Sequence, residues 1–449
     1  MEGIYYALTS TRQSLFDFID AFRWVSEPSY AGNDFLRGHG LRTAYISAKI
    51  GTLIGLPSNR LNKLIKAAML HEVGFVFIKN RPDNLQSIEE IALVQHSEIG
   101  AWIVGKLSFI GDADDIAEII RFHHVDYEQG MERDVPIEAF IVKLANNIDA
   151  LQSRYDHPTL YREEMAEAIE GVRVPPEILD TGIELVLSAP YQFWFALKNS
   201  PEIQKRYLKN SGRWDEIVYD LQTLDEIGST VLNLIDFRSP ITSTHSTRVA
   251  FIAEYLSRLM DEPYYIQRLA RIAGYLHDIG KVVIPIEILE KAGRLTSEEY
   301  SIIQSHICYT YLFFSKANIE PKVVNLASFH HERLDGSGYP FGLRDEHMSI
   351  PEKILQVADV AAALSEKRAY KSIMPKDSII SILKDQANSG KLCKRVVEVV
   401  EKNFDDMYDL IKAEVDRKSY EFISFVEEMA SRVTEIEVLL KSKEISYSF

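Results

Sequence analysis

Ten of the twelve histidines in this 449-residue chain form two series of one shape: His39, His71, His96, His123, His124 and His245, His277, His306, His330, His331. The first interval is 32 residues in both, the next two are 25 and 27 against 29 and 24, and each series closes on a His-His pair. The flanking residues repeat as well. AAMLHEVGF at 67–75 parallels AGYLHDIGK at 273–281, and IVKLANNIDAL at 141–151 parallels ILQVADVAAAL at 354–364. Self-similarity of this kind marks a tandem duplication. It predicts one unit over 1–200, a linker over 201–224 and a second unit with a tail over 225–449, the join falling in the polar, Pro- and Gly-punctuated stretch 198–216.

Both units read as helical. In HSTRVAFIAEYLSRLM, Val249, Ile252, Leu256 and Leu259 make one apolar stripe, and in YYIQRLARIAGYLHD, Ile266, Leu269, Ile272 and Leu276 make another. Segments 39–54 and 60–72 repeat the pattern, and period-2 runs rich in Val, Thr and aromatics are scarce, so the expected class is all-α, two tandem helical domains with a helical tail over 418–441. The tail is expected to be a surface helix, with dimerisation as its other use. The formal charge of −16 argues against a polymeric nucleic-acid partner, which needs a basic footprint. Two cysteines, Cys308 and Cys393, exclude a disulfide framework and a Cys-rich zinc site. With neither a signal peptide nor an 18-residue apolar run in view, the expected location is the cytoplasm, with no membrane span.

The second unit carries the chemistry. His245, His277, Asp278, His306, His330, His331 and Asp359 are imidazoles and carboxylates, the ligands of divalent transition metals. Seven donors are too many for one ion and suit two. Two divalent ions against two carboxylates leave a locally positive pocket inside an acidic protein, which suits a phosphate ester. Paired ions activate a bridging water and stabilise both the attacking and the leaving oxygen. The residues therefore point to metal-assisted phosphoester hydrolysis.

HDIGK at 277–281 resembles the signature of HD-domain phosphohydrolases, and HHERLDGSGYP at 330–340 resembles the long motif of the HD-GYP subfamily, whose members hydrolyse the bacterial second messenger cyclic di-GMP. HSTRV at 245–249 and ADV at 358–360 match in order and spacing. The resemblance covers 225–405 well and 30–200 as a diverged HD domain. It implies a dinuclear site, iron or manganese, with His245, His277, Asp278 and Asp359 at one ion, His306, His330 and His331 at the other, and Asp278 bridging. It implies that Asp278 and Lys281 are catalytic, that Lys281, Arg368 and Lys371 hold phosphate, and that Gly338, Tyr339 and Pro340, with Gly336, shape the loop beside the pocket. Asp335 would orient that loop or a ligand histidine.

The chain departs from the family in places. Ile241 stands where some members place a Glu for a third metal, so two ions are expected. Thr310 replaces a frequent Gly, and Ala362 a frequent Asp. The first unit keeps His39, His71, His96, His123 and His124 but has Glu72 for the bridging Asp, Asn146 for the last Asp and Phe75 for the lysine, with no GYP loop after HHVDYEQG. Two readings stand for it: a non-catalytic domain that senses or scaffolds, and a residual metal site without hydrolysis or with another substrate. For the whole chain the expectation is a cyclic di-GMP phosphodiesterase that uses a metal-activated hydroxide and yields pGpG, with GMP as the product of a further cleavage. The alternatives are a dinucleotide receptor with little turnover and a hydrolase of another nucleotide. A homodimer and a diguanylate cyclase-type protein complete the expected partners.

Overall fold

The computed structural model describes residues 11–27, 37–77, 90–131, 133–238, 244–291, 293–366 and 374–443. The chain divides into two compact units, one built around Ser14–Ile217 and the other around Val218–Val426. Both are helical. The only strands among the described residues are Thr11–Ser14 and Glu216–Tyr219, which pair with each other.

The stretch expected to be a linker is folded. Ser200 accepts a hydrogen bond from the Ile203 amide and caps the Pro201–Ser211 helix, whose first residue is a proline that needs no amide partner there. The strand Glu216–Tyr219 and the helix Leu221–Arg238 follow. The polar composition of this stretch reflects a helix with few buried residues, Gln204 and Leu208, rather than an open connection.

In the first unit the helices His39–Leu53, Ser58–Leu70, Glu90–Gly105, Ala113–Phe122 and Ile137–Gln152 surround the first histidine series. In the second, His245–Leu259, Tyr264–Leu276, His306–Lys316, Pro321–Ser328 and Ile350–Ser365 do the same for the second series. Most of the apolar stripes read from sequence are buried, Val249, Ile252 and Leu256 in one helix and Leu269, Ile272 and Leu276 in the next, while Leu259, at the end of its helix, is exposed and Ile266, in the first turn of its helix, is half-buried. The tail helix begins at Phe404, well before the residue expected, and runs to Lys443.

A single glycine position sets how closely the helices approach. A Cβ on Gly280 would lie 1.9 Å from the His306 carbonyl oxygen, and one on Gly74 would lie 1.9 Å from that of His96. The short turn after each His-Asp or His-Glu pair therefore rests directly on the backbone of the third histidine, which starts its helix in the second unit and lies within the Glu90–Gly105 helix in the first. That contact brings residues 26 and 22 positions apart in sequence together.

Candidate functional site

The histidines sit where helices end, and this decides which nitrogen faces inward. The last carbonyls of a helix lack intrahelical donors. His277, just past Leu276, donates its Nδ1–H to the Gly274 carbonyl at 2.8 Å. His306 bonds Ile303 O at 2.6 Å and His330 bonds Ala327 O at 2.7 Å in the same way. A proton committed to Nδ1 leaves Nε2 with a lone pair, the state a metal requires.

Those Nε2 atoms converge on one carboxylate. Asp278 Oδ2 lies 3.2 Å from His277 Nε2, and Oδ1 lies 3.3 Å from His306 Nε2. Lys281 Nζ donates to Asp278 Oδ2 at 2.5 Å. His245 Nε2 is 3.1 Å from Asp359 Oδ1, and His331 Nδ1 is 3.9 Å from Asp359 Oδ2. Three overlapping groups hold donor atoms within 4.8 Å of one another: His245, His277 and Asp359; His277, Asp278 and His330; His306, His330 and His331. The Nε2 atoms of His277, His306 and His330 and Oδ1 of Asp278 are buried without a hydrogen-bond partner. Buried polar atoms left this way are costly, and a cation at their focus would satisfy all of them. The residues present fit a metal centre.

The protonation pattern has two halves. Burial would lower the His245 pKa, but the Asp359 and Glu366 carboxylates outweigh it and raise it to about 10. Burial lowers His331 to about 3 against the opposing pull of Asp359, and burial together with the neighbouring His331 and His277 holds His330 well below the ordinary histidine value. Asp278 is held well below the carboxylate range because His277 and Lys281 overcome its burial, and Asp359 likewise because of His245 and His331.

Several supporting residues escaped the sequence reading. Glu366 Oε1 stands 3.5 Å behind His245 Nδ1, with Arg248 Nε 4.0 Å from the same oxygen. Glu332, third residue of the HHE run, accepts the Phe341 amide at 2.7 Å and the Leu343 amide at 2.9 Å, tying the GYP loop down from beneath. Gly338 is needed for close approach, since a Cβ there would lie 2.4 Å from Glu332 Cα; Gly336 is the one with a positive φ, +82°. Tyr339 lies against His331 with ring centroids 4.9 Å apart, and its bond to Pro340 is cis. Asp335 does not reach a histidine. It accepts from the Ser337 amide and hydroxyl at 2.9 and 2.6 Å and orients the loop only. Thr310 Oγ1 takes the Gly280 amide and donates to His277 O, both at 3.1 Å, so the hydroxyl braces the turn that carries Asp278. Arg368, Lys371 and Ile241 lie outside the described residues.

The first unit repeats the plan with different carboxylates. His71 donates to Ala68 O at 2.9 Å and His123 to Ile120 O at 2.6 Å. Glu72 takes the central position, 3.2 Å from His71 Nε2, 3.4 Å from His96 Nε2 and 3.7 Å from His39 Nε2. His39, His71 and Glu72 form one close group and His96, His123 and His124 another. Asn146 is buried, and its Oδ1 has no hydrogen-bond partner. Phe75, at the sequence position that Lys281 holds in the second unit, lies face to face on His96 at 3.9 Å. Behind His39 stands Asp149, 2.6 Å from Nδ1 and held by Arg42. The shared His-x-x-Arg spacing, 39–42 and 245–248, was the available signal for both backing pairs.

Family models of the HD domain match residues 36–151 and 229–395, so two HD domains in tandem define the class of protein. The chain belongs to the HD-GYP phosphodiesterase family. It is 25% identical over 390 residues to 3′3′-cGAMP-specific phosphodiesterase 1 of Vibrio cholerae serotype O1, covering 84% of this chain and 89% of that one. It is 35% identical over 185 residues to a cyclic di-GMP phosphodiesterase of Thermotoga maritima, covering 40% of this chain and half of that one. Among solved structures, a cyclic GMP-AMP specific phosphodiesterase of V. cholerae shares the fold, with a TM-score of 0.58 at 20% identity over 88% of this chain and 98% of that one. Among the described residues no helix is long and apolar enough to cross a membrane.

Proposed function

We propose that the second unit is a metal-dependent phosphodiesterase of cyclic dinucleotides, cyclic di-GMP first among them, opening the ring to the linear dinucleotide pGpG. The observation that carries this reading is the focus of buried, unpartnered donors around Asp278. In it His245, His277 and Asp359 would hold one ion, His306, His330 and His331 the other, and Asp278 would bridge them; the nitrogen and oxygen donor set suits iron or manganese. When bound, such ions supply Lewis-acid activation of water and neutralise charge developing at phosphorus. The protein supplies the rest. Lys281, held on Asp278 Oδ2, presents an ammonium group at the carboxylate where a phosphate oxygen would arrive. Arg368 and Lys371, by their spacing after Asp359, match family positions that hold phosphate. The Tyr339 ring, seated on His331, walls the pocket, and Glu332 keeps that wall in place.

A specific observation favours a second substrate. A relative that matches over 84% of this chain is named for 3′3′-cGAMP, whereas the T. maritima cyclic di-GMP phosphodiesterase matches over 40% of it. The deciding experiment gives the iron- or manganese-loaded full chain, under reducing conditions, equal concentrations of cyclic di-GMP, 3′3′-cGAMP and cyclic di-AMP and follows products by chromatography. Turnover of cyclic di-GMP at the highest kcat/KM supports the primary reading. Preference for 3′3′-cGAMP replaces it with the second. Intact substrates throughout, with metal bound, would overturn both in favour of a binding protein.

A further inference from the structure

The second unit exposes an aromatic cluster that the metal chemistry leaves without a task. Tyr300, in the helix Ser297–Gln304, is 49% exposed, Tyr311, in His306–Lys316, 37%, and Phe341, next after the GYP motif, 51%. Large aromatic side chains left in water together mark a binding surface, whereas single scattered ones do not. The Phe341 ring centroid stands 5.7 Å from those of both Tyr311 and Phe329, edge-on in each case. Glu332 fixes its backbone from beneath by accepting the Phe341 amide at 2.7 Å, so the ring is presented on a braced loop and costs a ligand little ordering. The cluster borders the donor focus. Tyr339, two residues before Phe341, lies against His331. Burial raises the Tyr339 pKa, and Tyr300, Asp359 and Asp278 add to the rise in that order, so the Tyr300 hydroxyl and both carboxylates of the focus stand within electrostatic reach of one phenol.

We propose that Tyr300, Tyr311 and Phe341 form a stacking platform for a purine base of the cyclic dinucleotide whose phosphodiester enters the donor focus. The identity of the ligand rests on the phosphodiesterase reading; the platform itself follows from the rings. The repeat supplies an internal comparison. Counted from the shared histidines, the first unit has Glu90, Ala101 and Asp134 where the second has Tyr300, Tyr311 and Phe341. The aromatic side chains therefore stand in the unit that has the lysine and the GYP loop, and the diverged unit lacks them at the matching positions. Metal ions and Lys281 can hold a phosphate but offer nothing to a base, and a cyclic dinucleotide brings two. Every purine has an apolar face that an aromatic ring can cover, so the platform supplies affinity without choosing between guanine and adenine. Discrimination among cyclic di-GMP, 3′3′-cGAMP and cyclic di-AMP then falls to groups that meet the base edges.

The test mixes the metal-loaded full chain, in a stopped-flow cell, with a cyclic dinucleotide of one guanine and one 2-aminopurine, whose fluorescence falls when the base stacks on an aromatic ring. Quenching is expected on mixing, ahead of turnover. Phe341→Ala, at an exposed position, should remove most of the quenching and raise Kd and KM about 5- to 150-fold, the worth of one base–aromatic stack. Tyr300→Ala should act in the same direction, and kcat should hardly move in either variant, because the lost contact is made equally to bound substrate and transition state. Phe341→Trp should restore quenching and affinity, a rescue that a ring needed only for loop packing would not give. Wild-type quenching and KM in both alanine variants would overturn the platform and leave the phosphodiesterase reading standing. Quenching that requires Phe341 in a chain without turnover would keep the platform and remove that reading. No quenching by the unaltered chain would overturn the platform whatever the turnover.

Discussion

The two HD units solve one packing problem and diverge at one chemical position. In each, histidines at helix ends spend Nδ1 on a carbonyl three residues back and turn Nε2 inward. In each, a glycine lets a short turn rest on a carbonyl at 1.9 Å, and an arginine-backed carboxylate stands behind the first histidine. What differs is the group beside the central acid: Lys281 on Asp278 in one, Phe75 on His96 in the other. The helical scaffold that gathers donors thus tolerates loss of the substrate-facing charge, because packing depends on the helix ends and the glycine while chemistry depends on a few residues exposed to the pocket. The backing carboxylate shows the same tolerance. The first unit draws it from Asp149, three residues after Asn146, and the second, with Ala362 there, draws it from Glu366 one turn further on.

Asp278→Ala would break the comparison most sharply. It should cut turnover of the preferred dinucleotide by about a thousandfold and reduce the metal content of the second unit. Glu72→Ala should cost less than about tenfold, since it acts in the other unit. Equal losses would mean that the two centres work as one.

Next in size is the glycine pair. Gly280→Ala forces a methyl onto backbone that cannot yield and should destabilise its own unit by about 3 kcal/mol, with Gly74→Ala doing the same to the first. Hydrogen exchange resolved by unit would register each loss where it arises. Loss spread evenly over both would contradict independent scaffolds.

Glu366→Gln keeps the volume behind His245 and removes the charge. Metal affinity of the second unit should fall about 10- to 100-fold. Asp149→Asn, the matching change, should leave that affinity within about threefold, by titration calorimetry of the emptied and loaded chain.

The smallest effect concerns protons. In the metal-free chain the His245 pKa is raised to about 10, so the stability this ion pair adds is fully present below about pH 6.5 and is lost as pH rises through 10. An ion must displace that proton, so its affinity should climb up to about tenfold per pH unit from neutrality. His331, lowered to about 3, releases none. Calorimetry in two buffers of different ionisation enthalpy should report about one proton released per chain. Release of none would show that the ion does not use His245.

Much of this was legible in the residues. The histidine intervals announced the duplication, the apolar stripes located the helices, and HHERLDGSGYP marked the loop by resemblance. Glu366 was not legible, because it sits seven residues beyond Asp359 on a helix end and meets His245 across 121 positions. Glu332 was visible as part of HHE, yet its task of accepting two amides of the GYP loop depends on a fold-back that no local pattern encodes. The folded stretch after residue 200 was missed because a sparsely buried, polar helix shares its composition with a linker.

By itself the sequence determined the repeat, the helical class and the inventory of donors, because these follow from local periodicity and from which side chains carry lone pairs. The tertiary structure alone decided which nitrogen each histidine turns inward and which carboxylate backs it. Those are matters of distance and direction, and they are set only when helix ends far apart in the chain are packed together.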